Sequence, residues 1–187
     1  MTPGAEGYAL LRGALEEAGI RFAIGGSWAS TAFGEPRFTN DVDILADFSE
    51  ENLEAFLDRL PDSFVVAPDE ARRSLRLGRP FNVIYIPAAF KFDLFPSAAY
   101  PLGREELERA ISLTNTELSV GAAPFVTPED ILLAKLHWYR AGGEVSEVQW
   151  RDIKGIVRTR GQNLDAEYLK TAAEKLSVTD LLAKALG

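Results

Sequence analysis

The spacing of hydrophobic residues changes along the chain and predicts where helices and strands alternate. Over residues 6–18, apolar side chains recur every three or four positions, as on one face of a helix. Short apolar runs then predict strands at 21–24 and 41–46. Between them, Ser27 is placed to cap a short helix over 28–33.

The middle of the chain has short β-like runs, and the end is helical. After a helix capped by Ser49, four runs separated by proline or glycine predict strands: FVVA, SLRL, FNVIYI and KFDLF. A helix resumes near residue 103, and ELSV and PFVT predict two further strands. From Thr127, a favourable helix cap, four helices follow at roughly 128–141, 147–160, 165–175 and 178–186.

This order of elements predicts an α+β fold with two parts. Residues 1–125 would form a mixed β-sheet flanked by helices, and residues 126–187 a small C-terminal helical lobe. A cleft between two such parts is a common place for a small-molecule site.

Composition narrows the chemistry available to the chain. The 187 residues include no cysteine and one histidine, which excludes disulfides, thiol catalysis and multi-histidine metal sites. Any metal would have to be held by carboxylates, which suit hard ions such as Mg²⁺. The net charge of −8 argues against a broad nucleic-acid footprint. The sequence shows neither a secretory signal nor a long apolar run, so we expect a soluble cytoplasmic protein with no membrane partner.

Two aspartates stand one residue apart in a strand that otherwise reads as buried. Residues two apart in a strand point the same way, so Asp41 and Asp43 share a face while Val42 and Ile44 join the core. Burying two adjacent carboxylates is costly unless a cation lies between them. A later strand offers a third carboxylate, Asp93. If the two strands are neighbours, the three acids have the layout of two-metal phosphoryl or nucleotidyl transfer.

A glycine-rich turn precedes the acidic pair. The predicted strand at 21–24 ends in Gly25-Gly26 and turns into a helix at Ser27, which presents backbone N–H groups to an anion. GGS by itself is common. Followed by NDVDI and a later isolated aspartate in a strand, it is a specific combined signal.

These motifs resemble those of the nucleotidyltransferase superfamily, which has the DNA polymerase β-like fold. The resemblance rests on GGS, DVD and the aspartate of KFDLF. PRFTNDVDI is similar to the bacterial toxin-type and abortive-infection members in particular. Those carry a C-terminal lysine and an Arg-Asp pair, which correspond here to Lys135 and Arg151-Asp152, although the helical lobe of this chain is small.

The resemblance implies a magnesium-dependent enzyme that transfers a nucleoside monophosphate from a nucleoside triphosphate such as ATP. Two Mg²⁺ ions, or Mn²⁺, would be held by three residues that are also catalytic: Asp41, Asp43 and Asp93. The nucleotide-binding residues it implies are Gly25, Gly26, Ser27, Arg37, Thr39 and Lys135. The resemblance does not specify the acceptor: a small molecule, a protein and a tRNA 3′ end are all compatible with it.

Two other interpretations are compatible with the same residues. One is a catalytically inactive nucleotidyltransferase fold that acts as an interaction module, for instance with a cognate toxin or antitoxin partner. The other is a nucleotide-binding regulatory domain that binds without transfer. Lys91 shares a strand face with Asp93 and is expected to pair with it. The basic run RRSLRLGR reads either as part of an acceptor groove or as a charged hairpin at a sheet edge.

Overall fold

A computed structural model describes the chain over residues 3–35, 39–115 and 118–187. Within these ranges, helices surround one mixed β-sheet, which confirms the predicted α+β fold. The helices are α1 (Pro3–Glu17), α2 (Gly26–Phe33), α3 (Glu50–Arg59), α4 (Pro68–Arg76), α5 (Gly103–Arg109), α6 (Pro128–Ala141), α7 (Glu147–Arg160), α8 (Ala166–Lys175) and α9 (Thr179–Leu186). The strands are β1 (Phe22–Ile24), β2 (Asp41–Ala46), β3 (Phe64–Val66), β4 (Phe81–Tyr85), β5 (Phe90–Pro96), β6 (Ile111–Asn115) and β7 (Val120–Phe125).

The strand order places β2 at the centre of the sheet. The order is β3-β4-β5-β2-β1-β7-β6, with β2 parallel to β5 and β1 parallel to β7. Along β2 and β5 the residues alternate between two faces. Val42, Ile44, Phe92 and Leu94 are fully buried, and the alternate positions carry the acidic side chains. The sheet therefore anchors the acidic face by burying the opposite one.

Two strand predictions were wrong. SLRL lies at the end of α4 and just beyond it, where Pro68 and two acids start a helix whose Ala71 and Ser74 turn inward. The ELSV strand was also misplaced. Leu118 and Ser119 form a turn between β6 and β7, while Glu117 lies outside the described residues.

The predicted caps were correct at two of three helices. Ser49 accepts a hydrogen bond from the backbone N–H of Asn52, and Thr127 accepts one from that of Asp130. Ser27 was expected to cap the next helix, but α2 begins one residue earlier with Gly25 as its N-cap. Because Ser27 already lies inside the helix, its hydroxyl is free to bond elsewhere, as described below.

The helices after residue 127 follow the predicted pattern. α6 and α7 have the expected bounds, and α8 and α9 begin one residue later than expected. The division of the chain after residue 125 stays a prediction from the sequence. Among the described residues, no helix combines the length and apolar character that a membrane crossing requires.

Candidate active site

The acidic face of the sheet opens into a cleft of about 830 Å³. Gly25, Gly26, Ser27, Asp41 and Asp43 line one end of it. The opposite wall consists of side chains from α6 and α7. The turn from β1 into α2 and the start of β2 thus meet at one end of a cavity that is large enough for a nucleotide-sized ligand.

Asp41 is held by a neighbouring hydroxyl. Thr39 Oγ1 donates a hydrogen bond to the Asp41 carboxylate, and Ser27 Oγ lies 3.3 Å from Thr39 Oγ1. Ser27 Oγ also lies 3.4 Å from the main-chain carbonyl oxygen of Asp41. Ser27 is buried, and Thr39 is not among the described residues that line the cleft. In this conformation, the contacts of Ser27 and Thr39 orient Asp41.

The Asp43 side chain packs directly against the backbone of Gly26. Gly26 has φ +50°, and a Cβ atom at this position would overlap the Asp43 carboxylate. The backbone N–H of Ser27 donates to the same carboxylate and lowers its pKa slightly. Only glycine combines this conformation with so close an approach, which explains the second glycine of GGS.

The electrostatic environment of Asp43 disfavours its charge. Burial raises the pKa of the Asp43 carboxyl group to about 6, and the charges of Asp93 and Asp41 act in the same direction. Lys135 partly offsets this effect. A carboxylate in this position is stabilised by an additional positive charge, such as that of a divalent cation.

Asp93 lies beside Asp43, because β2 and β5 are neighbours in the sheet. The parallel register pairs residues 43 and 93 across β2 and β5, so their side chains share a face. Lys91 pairs with Asp93 at 2.7 Å between Nζ and Oδ2, which confirms the expected contact. Asp93 is not among the described residues that line the cleft. In this conformation, Lys91 supplies the positive charge next to Asp93.

The donor set suits a hard cation, because the three carboxylates are oxygen ligands on one face of adjacent strands. Among the described residues, however, no three histidine or acidic side chains are already arranged as a metal site. Thr39 holds Asp41, and Lys91 holds Asp93. Joint binding of a metal would therefore require Lys91 to release Asp93, and the magnesium site stays a prediction.

Lys135 reaches the cleft from α6, on the wall facing the aspartates. Its Nζ lies 2.9 Å from Oδ2 of Asp152 on α7, and both side chains are about nine-tenths buried. Lys135 is therefore a buried residue of α6 and does not lie on a solvated helix face. Its binding to a triphosphate stays a prediction. Arg37, the other proposed basic ligand, lies outside the described residues.

Several residues of the cleft carried no recognisable signal in the sequence. Tyr100 and Glu106 line the end formed by the segment after β5 and by α5, and Trp138 lines the wall formed by α6. Glu106 is 4% exposed although it lies between the surface acids Glu105 and Glu108 in the sequence. Its position depends on how α5 packs, which no local pattern encodes.

The basic run does not line this cleft as a group. Arg72 binds Glu54 and Asp69, and Arg73 pairs with Glu70, all on the exposed surface around α4. These contacts lie on the charged surface of a helix. The predicted charged hairpin at a sheet edge was therefore wrong, because this segment is helical.

Comparison with solved structures identifies the fold. A solution structure of the antibiotic-resistance factor ANT(2″)-Ia matches with a TM-score of 0.56 and 16% identity, covering 96% of this chain and 94% of that one. A crystal structure of ANT(2″)-Ia in complex with adenylyl-2″-tobramycin matches with a TM-score of 0.53 and 18% identity, over 94% and 98% of the two chains.

A third match is a crystal structure of an antigenic nucleotidyltransferase-like protein from Paracoccidioides brasiliensis. Its TM-score is 0.55 at 17% identity, over 97% of this chain and 92% of that one. No family model and no curated protein sequence matches the chain. The chain thus has the fold of nucleotidyltransferases, as its GGS and DVD motifs predicted.

Proposed function

We propose that this protein is a metal-dependent nucleotidyltransferase that moves a nucleoside monophosphate from a nucleoside triphosphate onto a hydroxyl group of a small molecule. The observation that carries the proposal is the contact of the Asp43 carboxylate with the Gly26 backbone, at the start of a helix. This contact joins an anion-binding turn to a cation-binding carboxylate in one cleft.

The donor phosphates would bind at the beginning of α2. The helix start offers backbone N–H groups and the positive end of the helix dipole. Lys135 faces this end of the cleft and would exchange part of its contact with Asp152 for a phosphate oxygen. Mg²⁺ held by Asp41, Asp43 and Asp93 would neutralise the triphosphate and the pyrophosphate that leaves.

The protein's own residues would then position the acceptor and accept its proton. The acceptor oxygen forms a bond to the α-phosphorus while the bond between that phosphorus and pyrophosphate breaks. Asp93, once released by Lys91, would take the hydroxyl proton, because it lies on the open side of β5 beside Asp43. Pyrophosphate carries the displaced electron pair.

Three observations support a small-molecule acceptor over a protein or a tRNA end. A protein of the same fold, ANT(2″)-Ia, was crystallised in complex with an adenylylated small molecule, adenylyl-2″-tobramycin. The cleft is of drug-ligand size, and the net charge of −8 is unfavourable for RNA. A toxin–antitoxin role stays a prediction from the motif PRFTNDVDI, and the inactive-module alternative is less favoured because Asp43 is retained at an electrostatic cost.

The test is nucleotide binding followed by turnover. Each of the four nucleoside triphosphates would be titrated with Mg²⁺ and with EDTA, on the wild type and on Asp41→Asn/Asp43→Asn, with Asp58→Asn as an exposed control. We expect binding that needs Mg²⁺ and is lost only in the double variant, then pyrophosphate release with amino-sugar or polyol acceptors. Failure of a folded wild type to bind any triphosphate would refute the proposal. Binding without release would favour the regulatory-domain alternative.

A further inference from the structure

Three buried polar atoms in the cleft wall have no well-oriented hydrogen-bond partner within the described part of the chain. They are Glu106 Oε1, the hydroxyl oxygen of Tyr100 and Gln149 Oε1. The side chains of Glu106 and Tyr100 are neighbours, but they do not form a well-oriented hydrogen bond with each other. Buried polar groups are nearly always paired, so an unpaired couple on a cavity wall indicates that a ligand completes it.

This couple lines the same cleft as the turn at Gly26. Leu45 lies two residues beyond Asp43 on the same face of β2, about 6.6 Å further along the strand. Leu45, Phe95, Ile131 and Ala134 then make an apolar stretch of the cleft that also includes Tyr100 and Glu106. Phosphates at Gly26 would leave a flat heterocycle in the apolar stretch, with its edge within reach of Glu106.

The environment of Glu106 disfavours the charged form of its carboxyl group. Burial raises the pKa of Glu106 well above its ordinary value, and the charge of Asp130 raises it further. The nearby cation Arg109 is engaged elsewhere, with Asp130 and Glu129. A neutral carboxyl group offers one O–H donor beside one carbonyl acceptor.

We propose that Glu106, assisted by Tyr100, recognises the base of the donor nucleotide through an edge that carries a hydrogen-bond donor beside an acceptor. This inference rests on the proposed function, since it concerns the donor of that reaction. Adenine and cytosine present such an edge: the amino group donates to the carboxyl oxygen and the ring nitrogen accepts from the carboxyl O–H. Uracil and hypoxanthine present the reverse pattern, which the carboxyl group also matches when its proton is on the other oxygen. A purine without the amino group offers only the ring nitrogen and would leave one carboxyl oxygen without a donor.

The mouth of the cleft remains available for the acceptor. Trp138 and Val148 line it and are each nearly half exposed, at 46% and 47%. An acceptor at the mouth and a base at Glu106 would therefore occupy different parts of the same cleft.

The experiment compares two nucleotides that differ only at this edge. Affinities for ATP and for purine riboside triphosphate, which lacks the amino group, would be measured by calorimetry with Mg²⁺ on the wild type, Glu106→Gln and Glu106→Leu. Glutamine keeps a donor beside an acceptor, whereas leucine has neither. We expect the wild type to prefer ATP by about tenfold or more, as good paired hydrogen bonds to a base do. Glu106→Gln should retain most of that preference, and Glu106→Leu should bind the two nucleotides with similar affinity.

The outcomes separate this inference from the proposed function. If the wild type binds ATP and purine riboside triphosphate equally well, or if Glu106→Leu keeps the preference, base recognition by Glu106 is wrong and the donor site still stands. If no triphosphate binds to the folded wild type, both proposals fail. Thermal unfolding of each variant, followed by circular dichroism, checks folding. Glu106→Leu should melt no lower than the wild type, because it removes a buried group without a partner.

Discussion

Lys91 and Asp93 form an ion pair of 2.7 Å on the strand face that carries Asp41, Asp43 and Asp93, here called the acidic cluster. The lysine side chain is 42% exposed, whereas the aspartate side chain is 15% exposed. The charges of Asp93, Asp41 and Asp43 all raise the pKa of Lys91. The Lys91 ammonium group therefore lies next to Asp93, where a metal cation bound by the three aspartates would have to lie.

Replacing Lys91 with methionine should make the cluster a better cation site. In Lys91→Met the competing positive charge is gone, so we expect Mg²⁺ or Mn²⁺ to bind the nucleotide-free protein more tightly. Since the lysine is exposed to solvent, the pair is worth about 0.2–1 kcal/mol, which corresponds to at most about fivefold in affinity. Lys91→Arg keeps the charge and is the control. Metal titration by calorimetry or Mn²⁺ spin resonance would show an unchanged affinity in Lys91→Met if the lysine does not compete.

The raised pKa of Asp43 predicts a pH-dependent stability difference. The folded-state pKa of about 6 lies above the ordinary value of 3.8, so folding is favoured while this group is protonated. That contribution is complete below the ordinary value and is lost as the pH rises through about 6. At about pH 8, metal-free Asp43→Asn should therefore be more stable than the wild type by about 1–3 kcal/mol.

Urea unfolding at several pH values checks this prediction, with EDTA present. The advantage of Asp43→Asn should shrink toward about pH 4, where the wild-type carboxyl group is protonated as well. Asp58→Asn, on the exposed surface of α3, should show no comparable change. A wild type that is the more stable protein at the higher pH would mean that Asp43 already has a favourable partner.

The sequence predicted that Asp41 and Asp43 share a face because that geometry is local. Alternation within a strand places Asp41 and Asp43 on one face whatever surrounds them, and the motif joins them to Gly26. Helices α6 and α7 could be predicted equally well, because their apolar spacing and their caps are recognisable within one continuous stretch of sequence.

Features that depend on distant packing could not be predicted. Glu106 resembles its acidic neighbours in α5 and becomes distinctive only because the helix turns it toward the cleft. SLRL is a different case. It has the alternation of a strand, but Pro68 and the two acids after it are local signals of a helix start, and α4 continues from them to Arg76. Two local patterns disagreed there, and the helix formed.

Gly26 should tolerate no side chain. In Gly26→Ala the new Cβ atom would overlap the Asp43 carboxylate, and the backbone has φ +50°, which L-residues rarely adopt. We expect triphosphate binding to be lost and the melting temperature to fall by several degrees, on the order of 1–3 kcal/mol. Gly13→Ala, in the middle of α1 with open space around it, is the matched control and should stabilise by about 0.5–1 kcal/mol. Normal nucleotide binding by Gly26→Ala would contradict the site.

Lys135 allows its structural and ligand-binding roles to be separated. Removing it leaves Asp152 buried without its lysine partner, so Lys135→Met should lower the free energy of unfolding by about 1–4 kcal/mol. The double variant Lys135→Met/Asp152→Asn removes both charges and should recover much of that loss. If Lys135 also binds the triphosphate, nucleotide affinity should stay low in the double variant although its stability has recovered. Denaturant unfolding and ATP titration on the same samples measure the two quantities. Affinity that recovers together with stability would show that Lys135 acts on the fold alone.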